Sequence, residues 1–450
     1  MTQNTNSRRN FIKGVAGAAD GSAINWDAAS YARVLGSNDR ISVGVVGFSE
    51  RAMEALIPAF SAISSSRNCE IVAVSDIWNR RRDEGADFIG KLTGRSIAKA
   101  RNNDELYEMK NVQAVIIATA DHQHATHGVE AVRAGRDAYI EKPMANQMAD
   151  ARAILKAVKE TNRVVQIGTQ RRSAQKTVRA KEFLQTGEFG EITMVEMCTN
   201  ANQPMRWRRP QLVAALRPED TDWKRFVINR TKEAFDPHKY IEFRLYWPYS
   251  SGIPDQWMVH QIDALHFVTG LQRPRSVVAQ GGIYSWRDGR INPDTVTAVF
   301  DYGPLDNPAK GFQAIYSSRM HNSAGGDRDI YYSANGTFNA SAGKVSPEGG
   351  LIERYAKAGH KPTTLTEKTL SSASGGAELA DPNVKADATV VAHMSNWIEC
   401  VRSRKSPVAG IEAGYNHSIA LCMTIAAMHS GKRATFDDAK QEVALALTVG

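Results

Sequence analysis

The residue types point to two chemistries, dinucleotide binding and proton transfer beside it. Gly44-Val45-Val46-Gly47-Phe48-Ser49-Glu50-Arg51-Ala52 stands where a G-x-G-x-x-G turn would, with Ser49 and Ala52 in the second and third glycine places. In such a turn the first glycine makes the bend, the second admits backbone to a pyrophosphate and the third allows helix–sheet packing, a place alanine also fills. Ser49 would crowd a phosphate or hydrogen-bond to it, and Arg51 would supply charge that a tighter cradle otherwise provides. Asp76 lies 29 residues past Gly47, where a carboxylate accepts ribose hydroxyls of NAD and repels the 2′-phosphate of NADP. NAD is therefore expected over NADP, although Arg80-Arg81-Arg82 would suit a 2′-phosphate if it were not a solvated helix face. His260 and Asp263 share a face on a helix beginning near Asp255, so the carboxylate would orient the imidazole or bind substrate. Asp121, His122, His124 and His127 are of zinc-ligand type, but a strand-to-helix turn already accounts for two of them, and no metal is expected.

The elements that must position these groups follow from periodicity. Short apolar runs at Ile41–Gly47, Ile71–Asp76, Ala114–Thr119, Ala138–Glu141 and Val164–Gly168, separated by helix-length stretches, predict a parallel sheet of βαβ units. Longer β-branched and aromatic segments follow at Glu191–Thr199, Arg275–Trp286, Thr295–Tyr302, Gly311–Arg319 and Asp329–Tyr332, with Asn335-Gly336 as a hairpin turn. Val296, Ala298, Phe300 and Tyr302 alternate with more polar neighbours, as in an antiparallel sheet with one covered face. Between the two patterns, Asn202–Tyr249 is rich in Arg, Trp, Pro and Tyr without periodicity and reads as a functional loop. Ser371–Asp387 reads as a plain loop. The 450 residues carry 56 basic and 48 acidic side chains, a surplus of 8 too small and too scattered for a nucleic-acid binder. Four scattered cysteines give no disulfide framework, and no apolar run is long enough to span a membrane.

Thr119-Ala120-Asp121-His122-Gln123-His124, Glu141-Lys142-Pro143, Gly168-Thr169-Gln170-Arg171, His260-Gln261-Ile262-Asp263 and His393-Met394-Ser395-Asn396-Trp397 together resemble the signatures of the Gfo/Idh/MocA oxidoreductases. Ala120 and Ser49 depart from that pattern, and Asp255 stands five residues before His260 where the family has an aspartate four before. At about 100° per residue that offset would aim Asp255 elsewhere. The resemblance implies an α/β chain with three parts: a leader and arm over 1–40, a Rossmann domain over 41–168, and an α/β substrate domain with a large open, mainly antiparallel sheet over 169–450. It implies Lys142 and His260 as catalytic residues, with Lys142 over the nicotinamide and its pKa lowered by burial. It further implies Gly47, Ser49, Arg51, Asp76, Thr119, His122, Glu141 and Lys142 at the cofactor, with His124 packing at a helix start. Substrate contacts are expected from Gln170, Arg172, Arg244, Tyr246, Tyr249 and Asp263, with Trp207 and Tyr240 adding aromatic faces suited to a sugar ring.

The activity expected is hydride transfer between a sugar or glycoside carbinol and a tightly bound NAD. The alternatives are a glycosidase working through transient oxidation and elimination, and a sensor without turnover. Homo-oligomers are expected through the open sheet. Ser7-Arg8-Arg9-Asn10-Phe11-Ile12-Lys13 resembles a twin-arginine export signal, which implies a periplasmic or secreted protein, with the cytoplasm as the alternative.

Overall fold

The computed structural model describes residues 39–446 apart from 231, 351, 360–362 and 371–383. The twin-arginine motif and most of the Ser371–Asp387 loop lie outside these residues.

Six strands form the first sheet: β1 (Ile41–Val46), β2 (Cys69–Ser75), β3 (Ala98–Ala100), β4 (Ala114–Ile117), β5 (Asp137–Ile140) and β6 (Val165–Ile167). All pair in parallel, in the order β3-β2-β1-β4-β5-β6. The residues of β4 and β5 are all buried, as expected of central strands with helices on both faces. Strand order reverses between β1 and β4, and a crevice opens beyond the C-terminal ends of strands at such a switch point. Gly47, Asp76, Thr119, Lys142 and Gln170 each follow a strand closely, so the topology brings them to one edge although they span more than a hundred positions.

The second sheet has ten strands: β7 (Ile192–Asn200), β8 (Ser276–Gly282), β9 (Thr295–Tyr302), β10 (Phe312–Arg319), β11 (Asp327–Ser333), β12 (Gly336–Asn339), β13 (Lys344–Pro347), β14 (Lys368–Thr369), β15 (Ala434–Asp437) and β16 (Glu442–Leu445). Only β7 and β10 pair in parallel; the other neighbours are antiparallel. Val296, Ala298, Phe300 and Tyr302 are buried, as their alternation predicts, and Asn335-Gly336 joins β11 to β12. The strand expected over Arg275–Trp286 stops at Gly282. The Asp294 carboxylate accepts the backbone N–H groups of Tyr284, Ser285 and Trp286 at 3.1, 2.8 and 2.7 Å, and so folds them into a turn.

Helix Ala388–Ser403 returns to the first sheet, where Trp397 packs against Tyr139 and Phe60 with ring centroids 5.8 and 6.5 Å away. The irregular segment after β7 contains short helices Pro210–Ala215, Trp223–Val227 and Pro237–Ile241, and it crosses over the crevice. Thr221 bridges to Trp78, the Asp222 N–H donates to the Ile77 carbonyl (3.2 Å), and Arg225 pairs with Asp104 (2.6 Å).

Candidate functional site

A cavity of about 330 Å3 lies between the edge of the first sheet and this strap. Gly47, Ser49, Asp76 and Thr119 line it from the sheet side, and Trp207, Arg209, Phe226, Tyr240 and Arg244 from the strap. Gly47 takes φ +84°, and a Cβ there would meet Thr119 Cγ2 at 2.7 Å and the Ala118 carbonyl oxygen at 3.1 Å. Only glycine fits that bend. The Asp76 carboxylate accepts the Phe48 N–H (2.9 Å) and the Trp78 N–H (2.8 Å), which fixes it in the cavity wall at the end of β2. Burial raises its pKa, and those two N–H bonds and Arg81 oppose the rise. The bare turn, the carboxylate on the adjacent strand end and the cavity joining them fit the phosphate and ribose of NAD.

Of the two residues assigned to phosphate, Ser49 stays in the cavity wall and Arg51 does not line it. Ser49 Oγ accepts the Ala52 N–H (3.3 Å), and Arg51 Nε donates to Glu141 Oε1 (3.0 Å). Arg51 is therefore corrected from a phosphate ligand to the counter-charge of a buried glutamate. Glu141 also accepts from Gln170 Nε2 (2.9 Å) and from the Lys142 N–H (3.1 Å). Gly168 packs against it, where a Cβ would approach the Glu141 carboxyl to 2.9 Å. Burial pushes the Glu141 pKa up, but Arg51 and Lys142 more than reverse this. Glu141 thus anchors the backbone that carries Lys142 and makes no contact with the cavity's phosphate end.

The Lys142 amine donates to the carbonyls of Gln256 (3.0 Å) and Asp255 (3.3 Å). Both belong to a π-helical turn, Pro254–Met258, in which the Val259 N–H reaches back five residues to Pro254. Such a turn takes up one extra residue and loosens the ordinary helical bonding of its carbonyls, which leaves them open to the amine. Desolvation lowers the Lys142 pKa to about 8, with Asp121 and Glu141 opposing the fall. The Asp121 carboxylate itself accepts from Ser250 Oγ (2.6 Å) and from the Gln256 amide, whose oxygen takes Arg244 Nε (2.9 Å).

The extra residue does not turn Asp255 out to solvent. Its side chain is fully buried, one oxygen accepts the Ser251 N–H (2.7 Å) and Asn146 Nδ2 (3.2 Å), and the other has no partner. Burial, and then the charge of Asp121, push its pKa up to about 6. His260, one turn on, is held well below its ordinary value by burial and the nearby Lys142, and its Nδ1 is buried without a partner.

His122 Nε2 lies 2.7 Å from the strap's Phe226 carbonyl, and burial lowers the pKa to about 3, so the neutral ring donates there. His124 opens the helix His124–Arg133, with its ring nitrogens on the carbonyls of Pro143 (2.8 Å) and Thr119 (3.2 Å). Among the described residues no group of three or more His, Cys, Asp or Glu is placed to hold a metal.

Most of the expected substrate residues are corrected to structural ones. Arg172 and Asp263 form a bidentate pair (2.7 and 3.0 Å), and His417 Nδ1 adds a third contact to Asp263 at 3.3 Å. The Asp263 carboxylate therefore neither orients His260 nor faces the crevice. Gln170 is used by Tyr139 and Glu141, Tyr249 is buried with its hydroxyl on Glu233, and the Tyr246 hydroxyl accepts from Arg208 (3.2 Å). Arg244 does stay in the cavity wall. Sequence reasoning missed Asp121 as the neighbour of Lys142, along with Asn146, Gln256 and the strap's carbonyl at Phe226; only the placement of Asp121 two residues past Thr119 gave a signal.

Residues 41–169 match the model of a family described as the oxidoreductase family with NAD-binding Rossmann fold, Gfo/Idh/MocA. The chain is 25% identical over 236 residues to inositol 2-dehydrogenase of Salmonella typhimurium, covering 51% of this chain and 65% of that one. It thus spans less than two thirds of the length of that relative. A levoglucosan dehydrogenase of Pseudarthrobacter phenanthrenivorans is 28% identical over 110 residues, 23% of this chain and 28% of its own. Among solved structures, the aldose-aldose oxidoreductase of Caulobacter crescentus superposes with a TM-score of 0.62 at 16% identity, covering 88% of this chain and all of that one. The WlbA dehydrogenase of Bordetella pertussis, solved with NADH and UDP-GlcNAcA, gives 0.63 at 16% identity over 88% of this chain and 98% of its own. Residues 41–169 thus match the NAD-binding Rossmann domain of that family, and the fold of the chain is the one these solved neighbours share.

Proposed function

We propose that the protein is an NAD-dependent oxidoreductase acting at a hydroxyl-bearing carbon of a sugar or glycoside. NAD supplies the electron sink when bound. The observation that carries the reading is the placement of Lys142. Its amine is held just past the end of β5 by two carbonyls, with a pKa of about 8, and feels the charge of Arg244, which lines the cavity. A group of that pKa takes the proton of a substrate hydroxyl at neutral to mildly basic pH and returns it in the reverse direction. His260 and Asp255 flank it, each with a buried polar atom left unbonded by protein, as expected of groups that wait for substrate hydroxyls. Glu141 and the π turn hold the amine, and the strap walls one side of the cavity.

The sugar assignment draws support from the curated relatives, which are named as inositol and levoglucosan dehydrogenases, and from the aromatic lining of the strap. The strap's Phe226 carbonyl, Thr221 and Arg225 all fasten it to the first sheet, which favours a nucleotide retained between turnovers. Mass spectrometry of the nucleotide released on denaturation, followed by a panel of sugars and aryl glycosides with and without added NAD, tests the reading. Reduction of bound NAD by a sugar is the expected result. Release of aglycone with no net reduction would establish the glycosidase instead, and a preparation that neither carries nor binds NAD would refute both.

A further inference from the structure

The arginines around the crevice fall into two groups. Arg51, Arg171, Arg172, Arg208, Arg209 and Arg230 each face a carboxylate, on Glu141, Asp329, Asp263, Glu242, Glu50 and Asp150 respectively. Arg206 faces none. Its side chain is half-buried, and among the described residues its Nε is buried without an acceptor. It lies instead over two indoles, with Cζ 5.8 Å from the Trp207 ring and 5.8 Å from the Trp257 ring. Those rings are 5.8 Å apart.

Three further facts tie this guanidinium to the reaction site. Trp207 lines the cavity, and Trp257 follows Gln256, whose carbonyl receives the Lys142 amine. Burial, then the neighbouring cations Arg244 and Arg209, lower its pKa, and the charge of Glu50 opposes the fall. The backbone on either side is strained: Met205 takes φ +58° and Trp207 φ +69°, a left-handed conformation that side chains of this bulk rarely adopt. Arg206 itself does not line the cavity, and it feels the charges of Glu50 and Arg209 as well as that of Arg244.

We propose that Arg206 is an oxyanion clamp, and that the substrate is a sugar bearing a negatively charged group. A planar guanidinium laid on aromatic rings presents its edge to a carboxylate or a phosphate ester, while the indoles take the C–H face of the ring that carries it. The inference rests on the sugar oxidoreductase reading above and deepens it by naming the substrate's charge. It requires no protein group to shift, since Nε already lacks a partner.

The test uses the intrinsic fluorescence of Trp207 and Trp257 in the nucleotide-loaded full chain, a readout independent of turnover. Glucuronate, glucose 6-phosphate and glucose are titrated in turn. At least one anionic sugar is expected to bind tenfold or more tightly than glucose, as a charge-assisted contact at a desolvated site gives. The tighter of the two separates a carboxylate source from a phosphate ester. Arg206→Gln is expected to bring that preference to within twofold while the nucleotide stays bound, and Arg206→Lys to keep part of it. The proposal is overturned if glucose binds as well as both anions, if neither anion binds, or if the preference survives Arg206→Gln. Loss of nucleotide from Arg206→Gln but not from Arg206→Lys also overturns it, since the guanidinium would then serve the pyrophosphate. An anion preference in a protein that transfers no hydride to or from any sugar would sink the oxidoreductase reading and leave the clamp standing.

Discussion

Asp255 and Asp263 sit eight positions apart, one in the π turn and one in the helix Val259–Thr269 that continues it, and both are fully buried. Their electrostatics are opposite. Asp263 meets Arg172 through both oxygens and His417 through one, and although burial works against it, those partners hold its pKa far below the carboxylate range. Asp255 forms no ion pair among the described residues, keeps one oxygen unbonded, and is pushed up to about 6 by burial and then by Asp121. Burial alone thus tells nothing about role; the partner set does. A buried charge with every lone pair engaged is architecture, whereas one left short beside an amine such as Lys142 is where substrate polar groups can complete the shell.

The largest expected effect lies on the Asp255 side of this contrast. Lys142→Met should cost about a thousandfold or more in kcat, within the range of lost acid–base catalysis, while nucleotide stays bound. In the native enzyme kcat/KM for sugar oxidation should rise with pH through about 8 as the amine loses its proton. Steady-state rates of NAD reduction across pH 6–10 check both, and a Lys142→Met enzyme within tenfold of native would remove Lys142 from the chemistry.

Next in size is the stability of the Asp263 side. Asp263→Asn leaves Arg172 buried without its counter-charge, and losses of about 3–5 kcal/mol are usual when one partner of a buried pair is removed. Asp255→Asn should leave stability at pH 7 unchanged or raised, because it deletes a charge that the fold disfavours. The two carboxylates also have opposite pH signatures. The folded pKa of Asp263 is depressed, so its contribution is present above the unfolded value of about 3.9 and is lost as pH falls through the folded one. The folded pKa of Asp255 is raised to about 6, so its cost is present above pH 6 and is relieved as pH falls from there toward the unfolded value. Denaturant unfolding at pH 7 and pH 5 should therefore show the advantage of Asp255→Asn over native shrinking at the lower pH. Equal destabilisation by the two variants would erase the distinction drawn between them.

The same contrast explains what could be read from the sequence. The strands and the edge residues Gly47, Asp76, Thr119 and Lys142 were legible because each depends on local chain chemistry: an apolar run that ends in a turn residue. The misassigned residues were those whose role is decided by a distant partner. Arg172 and Asp263 are 91 positions apart, Arg51 and Glu141 are 90 apart, and nothing local says that either arginine is already spoken for. The π turn was illegible for another reason. Reading Asp255 at a constant helical pitch turns it aside, and only the bond from the Val259 N–H back to Pro254 shows that the pitch changes there.

The smallest effect concerns the strap's Arg225, which is matched like Arg172 but in water. Arg225 and Asp104 are 2.6 Å apart with side chains 38% and 60% exposed. Exposed pairs of this kind contribute about 0–1 kcal/mol, so Arg225→Gln should lower stability by no more than that and change nucleotide release less than about threefold. The fastenings left in place are buried or backbone-borne: His122 on the Phe226 carbonyl and the Asp222 N–H on the Ile77 carbonyl. Stopped-flow release of bound nucleotide and thermal unfolding of Arg225→Gln measure the two quantities. A much larger acceleration of release would mean that one solvent-exposed ion pair controls closure of the strap. Engagement of every partner would then fail to separate architecture from function, and the distinction between Asp255 and Asp263 would have to rest on solvent exposure instead.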